Sequence, residues 1–258
     1  MLWESVDPAD ALVTRFGFAN TARAVAWLGD TLWDTWAIPV DDCDRLVISA
    51  GNLLAWITSG GRRLIAKCSV VPALFPRLAD TATLAMWLHA HGIPVAAPVA
   101  ASDGRLRVEL NNVSLGVCPV IDGDLLDADD PVPVNEAGRM LATLHEALDA
   151  YPHPIDGARL TRPGQLVHND FRSANILHDG TTITAVLDFE EVTCRTRVAD
   201  LAKATVLLGT RYHHWAPTSP VIREAFVAAY RDQAPLTSAE QNELQHGITA
   251  VLGHFGWT

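Results

Sequence analysis

In LVHNDFRSANILHDG, residues 166–180, side chains able to do chemistry sit between two apolar runs. His168, Asp170 and Asn175 follow the spacing H-x-D-x-x-x-x-N. An Asp held in such a loop can accept the hydrogen bond of a substrate hydroxyl and orient it for attack. An Asn returning to the same side of the loop offers an uncharged oxygen to a metal ion. Thirteen positions beyond Asn175 stands Asp188, which follows the apolar run of AVLDFEEV and carries a carboxylate suited to Mg²⁺. Upstream, Lys67 lies in LIAKCSV, where a strand lysine can meet the inner phosphates of a nucleotide. Gly51-Asn52 stands in a turn that can let backbone amides approach those phosphates. Together these residues point to phosphoryl transfer from a nucleotide, with Mg²⁺, onto a hydroxyl. Each alone carries little, since an Asp after an apolar strand is more often a turn residue and a strand lysine is usually solvated. Their order along the chain is what joins them.

The elements that must position them divide by texture. The first half reads as a small sheet with one long helix. Arg45 to Ser49, Leu53 to Thr58 and Arg63 to Cys68 form strands, the last two joined across Ser59-Gly60-Gly61. A helix carries Leu78, Ala82, Ala85, Leu88 and His89 and ends at Gly92, and RLRVELNNVSLGVCPVIDG returns to strand around Asn111-Asn112. Before this sheet, Ala22 to Leu32 has the spacing of a short helix, whereas residues up to Asn20 show no clear period. The acids Asp122, Asp124, Asp127, Asp129 and Asp130, followed by Pro131 and Pro133, read as a connector. This divides the chain into 1–121 and 122–258.

In the second half Asn135 can cap a helix whose apolar face is Ala137, Met140, Leu141, Leu144 and Leu148. Two further helices close the chain, Pro220 to Arg231 and one opened by Thr237 with Glu240 three residues later.

Composition narrows the function. With 258 residues, 49% of them apolar, the chain can build one large core or two small ones. The net charge of −11 argues against nucleic acid as the main partner and suits a cationic small molecule better. No apolar run is long enough to cross a bilayer, and the N-terminus lacks a basic region followed by an apolar one, so a cytoplasmic protein without a membrane partner is expected. Cys43, Cys68, Cys118 and Cys194 are dispersed, as reduced thiols would be. His213-His214-Trp215 invites a metal reading, but adjacent histidines point apart and no third ligand is evident. The eight Trp residues are scattered, which favours packing over a stacking platform for bases.

H-x-D-x-x-x-x-N is also the spacing of the protein-kinase catalytic loop, and LVHNDFRSANIL, AVLDFEEV and VADLAKA resemble the aminoglycoside phosphotransferase and choline kinase-type enzymes. WLHAHGIPVAAPV resembles the end of that family's N-lobe helix and the strand after it, and the resemblance runs from about residue 46 to about 231. It implies an α+β, two-lobed, protein-kinase-like fold, a small antiparallel N-lobe and a helix-rich C-lobe, with ATP in the cleft. By the same resemblance Asp170 is the catalytic base or orienter, Asn175 and Asp188 are the metal ligands, and Lys67 is the phosphate-binding lysine. Val117, Cys118 and Val120 then belong to the hinge that passes the adenine, His168 supports the loop, and Asp200 is structural. Glu190 and Glu191 either face the acceptor and attract amines or form a solvated turn.

Two features depart from the family pattern: Asn169 replaces a common Gly, and Thr81 stands where a Glu partner for the lysine is expected, with Asp80 the nearest carboxylate. The early C-terminus, at VLGHFGWT, also suggests a reduced acceptor site. The expected enzyme is a small-molecule O-phosphotransferase, its acceptor a cationic antibiotic of aminoglycoside or peptide type. The alternatives are a choline, homoserine or sugar kinase, and a nucleotide-binding pseudokinase module. The oligomeric state stays open.

Overall fold

A computed structural model describes residues 7–49, 51–158, 164–212 and 215–257. It divides into two compact units, Met1–Met86 with Ala96–Val120, and Trp87–Val95 with Ile121–Thr258.

The first unit opens with α1 (Pro8–Phe16) and α2 (Thr21–Trp36). The α1 helix lies where the sequence showed no period. Its start is local chemistry: Asp7 accepts hydrogen bonds from the Ala9 and Asp10 amides, and Pro8 occupies the first turn, where its missing N–H costs nothing. Asn20 caps α2 in the same manner, and this helix extends beyond the expected Ala22 to Leu32.

Three strands follow as an antiparallel meander, β1 (Asp42–Ile48), β2 (Asn52–Ser59) and β3 (Arg62–Ser69). The β2–β3 turn holds Gly60 and Gly61 at φ 53° and 77°, a conformation that side chains resist. The helix α3 (Phe75–Ala90) leads to β4 (Arg107–Leu110) and β5 (Val113–Pro119), and the sheet order is β1-β2-β3-β5-β4. Because side chains alternate across a strand, Leu53, Ala55, Ile57, Leu64, Ala66, Leu115 and Val117 share one face, where they form a single buried cluster with Leu12, Leu28, Leu32 and Trp36 of α1 and α2. Leu54, Trp56, Ile65 and Lys67 alternate with them and are half-buried.

In the second unit come β6 (Asp124–Leu125), α4 (Pro131–Ala150), β7 (Gln165–Val167), β8 (Ile176–His178), β9 (Ile183–Val186), β10 (Thr193–Arg195), α5 (Arg197–Leu207), α6 (Pro220–Gln233) and α7 (Ser238–His254). β6, β8 and β9 form a three-stranded sheet, and β7 pairs with β10. The acidic run is therefore not a plain connector. Asp124 sits on β6, and Asp130 caps α4 by accepting from the Val132 amide, so this helix starts at Pro131 rather than after Asn135. A proline in the first helical turn loses no hydrogen bond, which is why Pro131 opens the helix instead of blocking it. The sequence reading did not assign α5, whose N-cap Thr196 accepts from the Ala199 amide. α7 begins as expected, with the reciprocal Thr237–Glu240 capping pair. No described helix is long and apolar enough to cross a membrane.

The crossing of α4 and α6 depends on Gly138. A Cβ there would strike the carbonyl oxygen of Phe226 and lie 3.0 Å from the Ala229 Cβ and 3.1 Å from the Tyr230 nitrogen, backbone that cannot swing aside. Gly138→Ala is therefore expected to destabilise the protein by about 1–3 kcal/mol, despite Ala's better helix propensity. Urea unfolding checks this, and an unchanged or raised midpoint would contradict the close crossing.

Candidate active site

Two short strand pairs hold the loop between Val167 and Ile176. β7 enters it with Leu166 and Val167 buried against β10, and β8 leaves it paired with β9. The apolar runs that bracket the motif are thus strand anchors for the polar loop between them.

His168 is fully buried, and both its nitrogens are engaged. Nε2–H donates to the Leu187 carbonyl at 3.0 Å, while Nδ1 accepts the Asp170 amide at 3.2 Å. Its ring packs on Phe189 at 4.8 Å. Burial holds its pKa below the usual histidine value, against the opposing pull of the Asp200, Asp170 and Asp188 carboxylates, so the ring is neutral. Leu187 is the second anchor of this arrangement, since its N–H donates to the Asn175 carbonyl at 2.8 Å. Residue 187 therefore ties the loop, at both His168 and Asn175, to the turn that carries Asp188.

The carboxylate of Asp170 is held from two sides. Arg172 Nε donates to Oδ1 at 2.9 Å, and Asn175 Nδ2 donates to Oδ2 at 2.7 Å and to the Asp170 carbonyl at 2.9 Å. Its side chain remains 19% exposed, enough to meet a ligand. With its NH₂ group spent on Asp170, Asn175 has its amide oxygen left to offer as a donor to a cation. Asp188 is exposed at the mouth of the turn after β9, with φ 62°, a left-handed backbone that aspartate adopts at a cost. An amide oxygen and a carboxylate are the hard oxygen donors Mg²⁺ takes from protein when phosphates and water complete its shell. Among the described residues no three His, Cys, Asp or Glu side chains cluster as a metal cage.

Asn169 explains its own departure from the family's Gly. Its φ is 64°, the left-handed region that Gly enters freely and Asn tolerates best among other residues. Its N–H donates to Asp200 Oδ1 at 2.9 Å, and Lys203 Nζ bonds its carbonyl at 2.5 Å. Asp200, 1% exposed, also meets His145 Nε2 at 3.0 Å, and His145 Nδ1 meets the Tyr230 hydroxyl at 2.9 Å. Burial pushes the Tyr230 hydroxyl up to about 12, so it stays protonated.

Arg172, Lys203, His145 and Tyr230 were not among the residues read as functional from the sequence. Arg172 lay inside the motif and Lys203 three positions after Asp200, so local signals existed for both. His145 and Tyr230 come from helices distant in sequence and left none.

The remaining described candidates belong to the first unit or to the turn after Asp188. Lys67 is on β3, opposite Leu54 and Gly116, with Cys118 diagonally across on β5. Burial raises the Cys118 thiol pKa, opposed by the positive charge of Lys67. Val117 points into the α1–α2 cluster, and its carbonyl accepts the Val99 amide at 2.8 Å, while the Val120 amide donates to Arg63 at 3.0 Å. Gly51 lies in the turn before β2, which Asn52 opens, and a Cβ on Gly51 would collide with the Val71 side chain. Thr81 faces inward and donates to the Leu78 carbonyl, and Asp80 is half-buried. Glu190 and Glu191 occupy the turn after Asp188, half-buried and exposed respectively. His213 and His214 lie outside the described residues.

Two outcomes test this geometry. Asn169→Gly should keep stability within a few tenths of a kcal/mol, whereas Asn169→Val should lose about 1–3 kcal/mol; equal stabilities by urea unfolding would contradict the left-handed assignment. For His168 the unfolded state takes up a proton near pH 6.5, whereas the folded ring, its pKa lowered by burial, does so only at lower pH. Stability is therefore expected to fall as pH drops below that value, by up to about 1.4 kcal/mol per pH unit. Unfolding midpoints at pH 7.5 and 5.5 should show a smaller acid loss in His168→Gln than in the wild type.

The model of the phosphotransferase enzyme family matches residues 126–240, the stretch that holds this loop and its supports. A homoserine kinase from Neisseria meningitidis serogroup B is 24% identical over 195 residues, which make up 58% of this chain and 60% of that protein's length. Among solved structures, a microcompartment-associated aminopropanol kinase aligns with a TM-score of 0.67 at 18% identity, covering 88% of this chain and 86% of its own. A macrolide 2'-phosphotransferase from Brachybacterium faecium aligns at 0.62 and 18%, covering 88% and 93%. A spectinomycin phosphotransferase solved with ADP and spectinomycin aligns at 0.58 and 10%, with the same coverages. The segment bearing the His168–Asn175 loop thus matches the phosphotransferase enzyme family, and the chain has the protein-kinase-like fold of the spectinomycin and macrolide phosphotransferases.

Proposed function

We propose that the protein transfers the terminal phosphoryl group of ATP to a hydroxyl of a small molecule, with Mg²⁺ as the required ion. The observation that carries this reading is the Asp170 carboxylate, fixed by Arg172 and Asn175 yet open to a ligand. An acceptor hydroxyl hydrogen-bonded to Asp170 is oriented for in-line attack, and Asp170 receives its proton as the new P–O bond forms and the bond to ADP breaks. Asn175 and Asp188 would hold Mg²⁺, which offsets charge on the phosphates. Lys67 is the residue assigned to the inner phosphates, the Gly51-Asn52 turn to their backbone contacts, and Val117 to Val120 to the adenine. Use of ATP fits a cytoplasmic protein.

For the acceptor, Glu190 and Glu191 beside Asp188 and the net charge of −11 favour an amine-bearing alcohol. Both a metabolite of homoserine or aminopropanol type and a cationic antibiotic fit that description, and the relatives named above include both kinds.

The test is ATP consumption with Mg²⁺ over a panel of homoserine, aminopropanol, choline, simple sugars, aminoglycosides, spectinomycin, macrolides and cationic peptide antibiotics. Turnover on one compound is expected, with a loss of roughly 10²- to 10⁴-fold in Asp170→Ala. ATP binding without turnover on any acceptor would favour a regulatory nucleotide-binding module instead, and turnover that survives Asp170→Ala would remove Asp170 from the chemistry.

A further inference from the structure

We propose that Arg172 is a positioning residue for the phosphoryl transfer, holding the Asp170 carboxylate in the orientation that receives the acceptor hydroxyl. This rests on the role given to Asp170 above. The two residues stand two positions apart in the loop, and Nε of Arg172 donates to Oδ1 at 2.9 Å. The guanidinium does not simply follow Asp170. Its Nη1 donates to the carbonyls of Arg211 at 2.5 Å and Thr210 at 3.5 Å, in the segment after α5, and its Cζ lies 5.5 Å from the centre of the Trp215 ring. The Arg172 side chain is only 6% exposed. A buried guanidinium anchored in a second segment is a fixed post, and the planar fork of arginine makes the direction of each N–H definite.

With Asn175 Nδ2 on the other oxygen at 2.7 Å, the carboxylate is held from both sides, which fixes its rotation. Each carboxylate oxygen keeps a second lone pair, so the clamp leaves room for the hydroxyl. A charge argument runs in the same direction. A lone Asp170 carboxylate would repel the anionic triphosphate, and the neighbouring guanidinium offsets that charge without occupying the exposed side of Asp170.

The experiment is a double-mutant cycle in the full-length protein, with Arg172→Gln and Asp170→Asn measured singly and together on the acceptor that turns over. Arg172→Gln is expected to lower kcat by about 10- to 100-fold, the scale of a misplaced catalytic group, with the KM for ATP changed by less than roughly twofold. In the Asp170→Asn background the same change should alter kcat by less than roughly twofold, because the group it positions is gone. Equal losses in both backgrounds, or a raised KM for ATP at unchanged kcat, would overturn the proposal in favour of a folding or phosphate-binding role. Arg172→Lys keeps the charge but not the fork, and serves if the Gln variant fails to fold; its kcat is expected to fall as well, and a wild-type kcat would count against positioning. Crystal structures of wild type and the folded variant give an answer independent of any acceptor. A reoriented Asp170 carboxylate is expected, and an unmoved one refutes the role of Arg172 even if the proposed activity fails.

Discussion

A carboxylate buried to 1% exposure organises the second unit. Asp200 could not be left there without partners, because an unpaired buried charge costs several kcal/mol. Its partners come from elements far apart in sequence: the Asn169 amide in the loop between β7 and β8, and His145 on α4, whose other nitrogen reaches Tyr230 on α6. One side chain on α5 thereby fixes the loop backbone at the residue before Asp170 and ties it to two helices. The left-handed conformation of Asn169 aims its N–H at Asp200, and Lys203, one turn along α5, holds the carbonyl of the same residue. The strained position is over-determined by its neighbours, as strained backbone in functional loops tends to be.

A second linkage passes through Leu187. Its carbonyl receives His168 and its N–H reaches Asn175, so the turn bearing Asp188 follows the loop bearing Asp170. The buried, neutral ring of His168 suits this purpose: it donates from one nitrogen and accepts at the other, which a charged imidazolium could not do. Three groups assigned to chemistry, Asp170, Asn175 and Asp188, are thus set by a few directional hydrogen bonds to residues assigned to none.

The first unit rests on a different constraint, the two-sidedness of a small sheet. Its β-strands bury one face against α1 and α2 and present the other with Lys67 half-buried. Alternation along β3 makes these properties inseparable: with Leu64, Ala66 and Cys68 inward, Ile65 and Lys67 must face the opposite way. Val117 obeys the same rule, its side chain packed in the core while its backbone belongs to the sheet.

The elements whose signals are local could be read from the sequence. The meander around Gly60-Gly61, the turn at Asn111-Asn112 and the Thr237–Glu240 cap depend on residues a few positions apart, and so does the H-x-D-x-x-x-x-N spacing. Asp7-Pro8 and Asp130-Pro131 open helices with residues that also suit a loop, because proline reads as a breaker until it is placed in a first turn. The sequence by itself determined which residue types were available for phosphoryl chemistry and the period of the elements carrying them. Only the tertiary structure decided that Arg172 is anchored on the carbonyls of Thr210 and Arg211, that Asp200 meets His145 across 55 positions, and that Leu187 joins the two metal-ligand candidates. Those contacts are directional bonds between distant segments, and no periodicity along the chain encodes which of its many polar groups will meet once the core has formed.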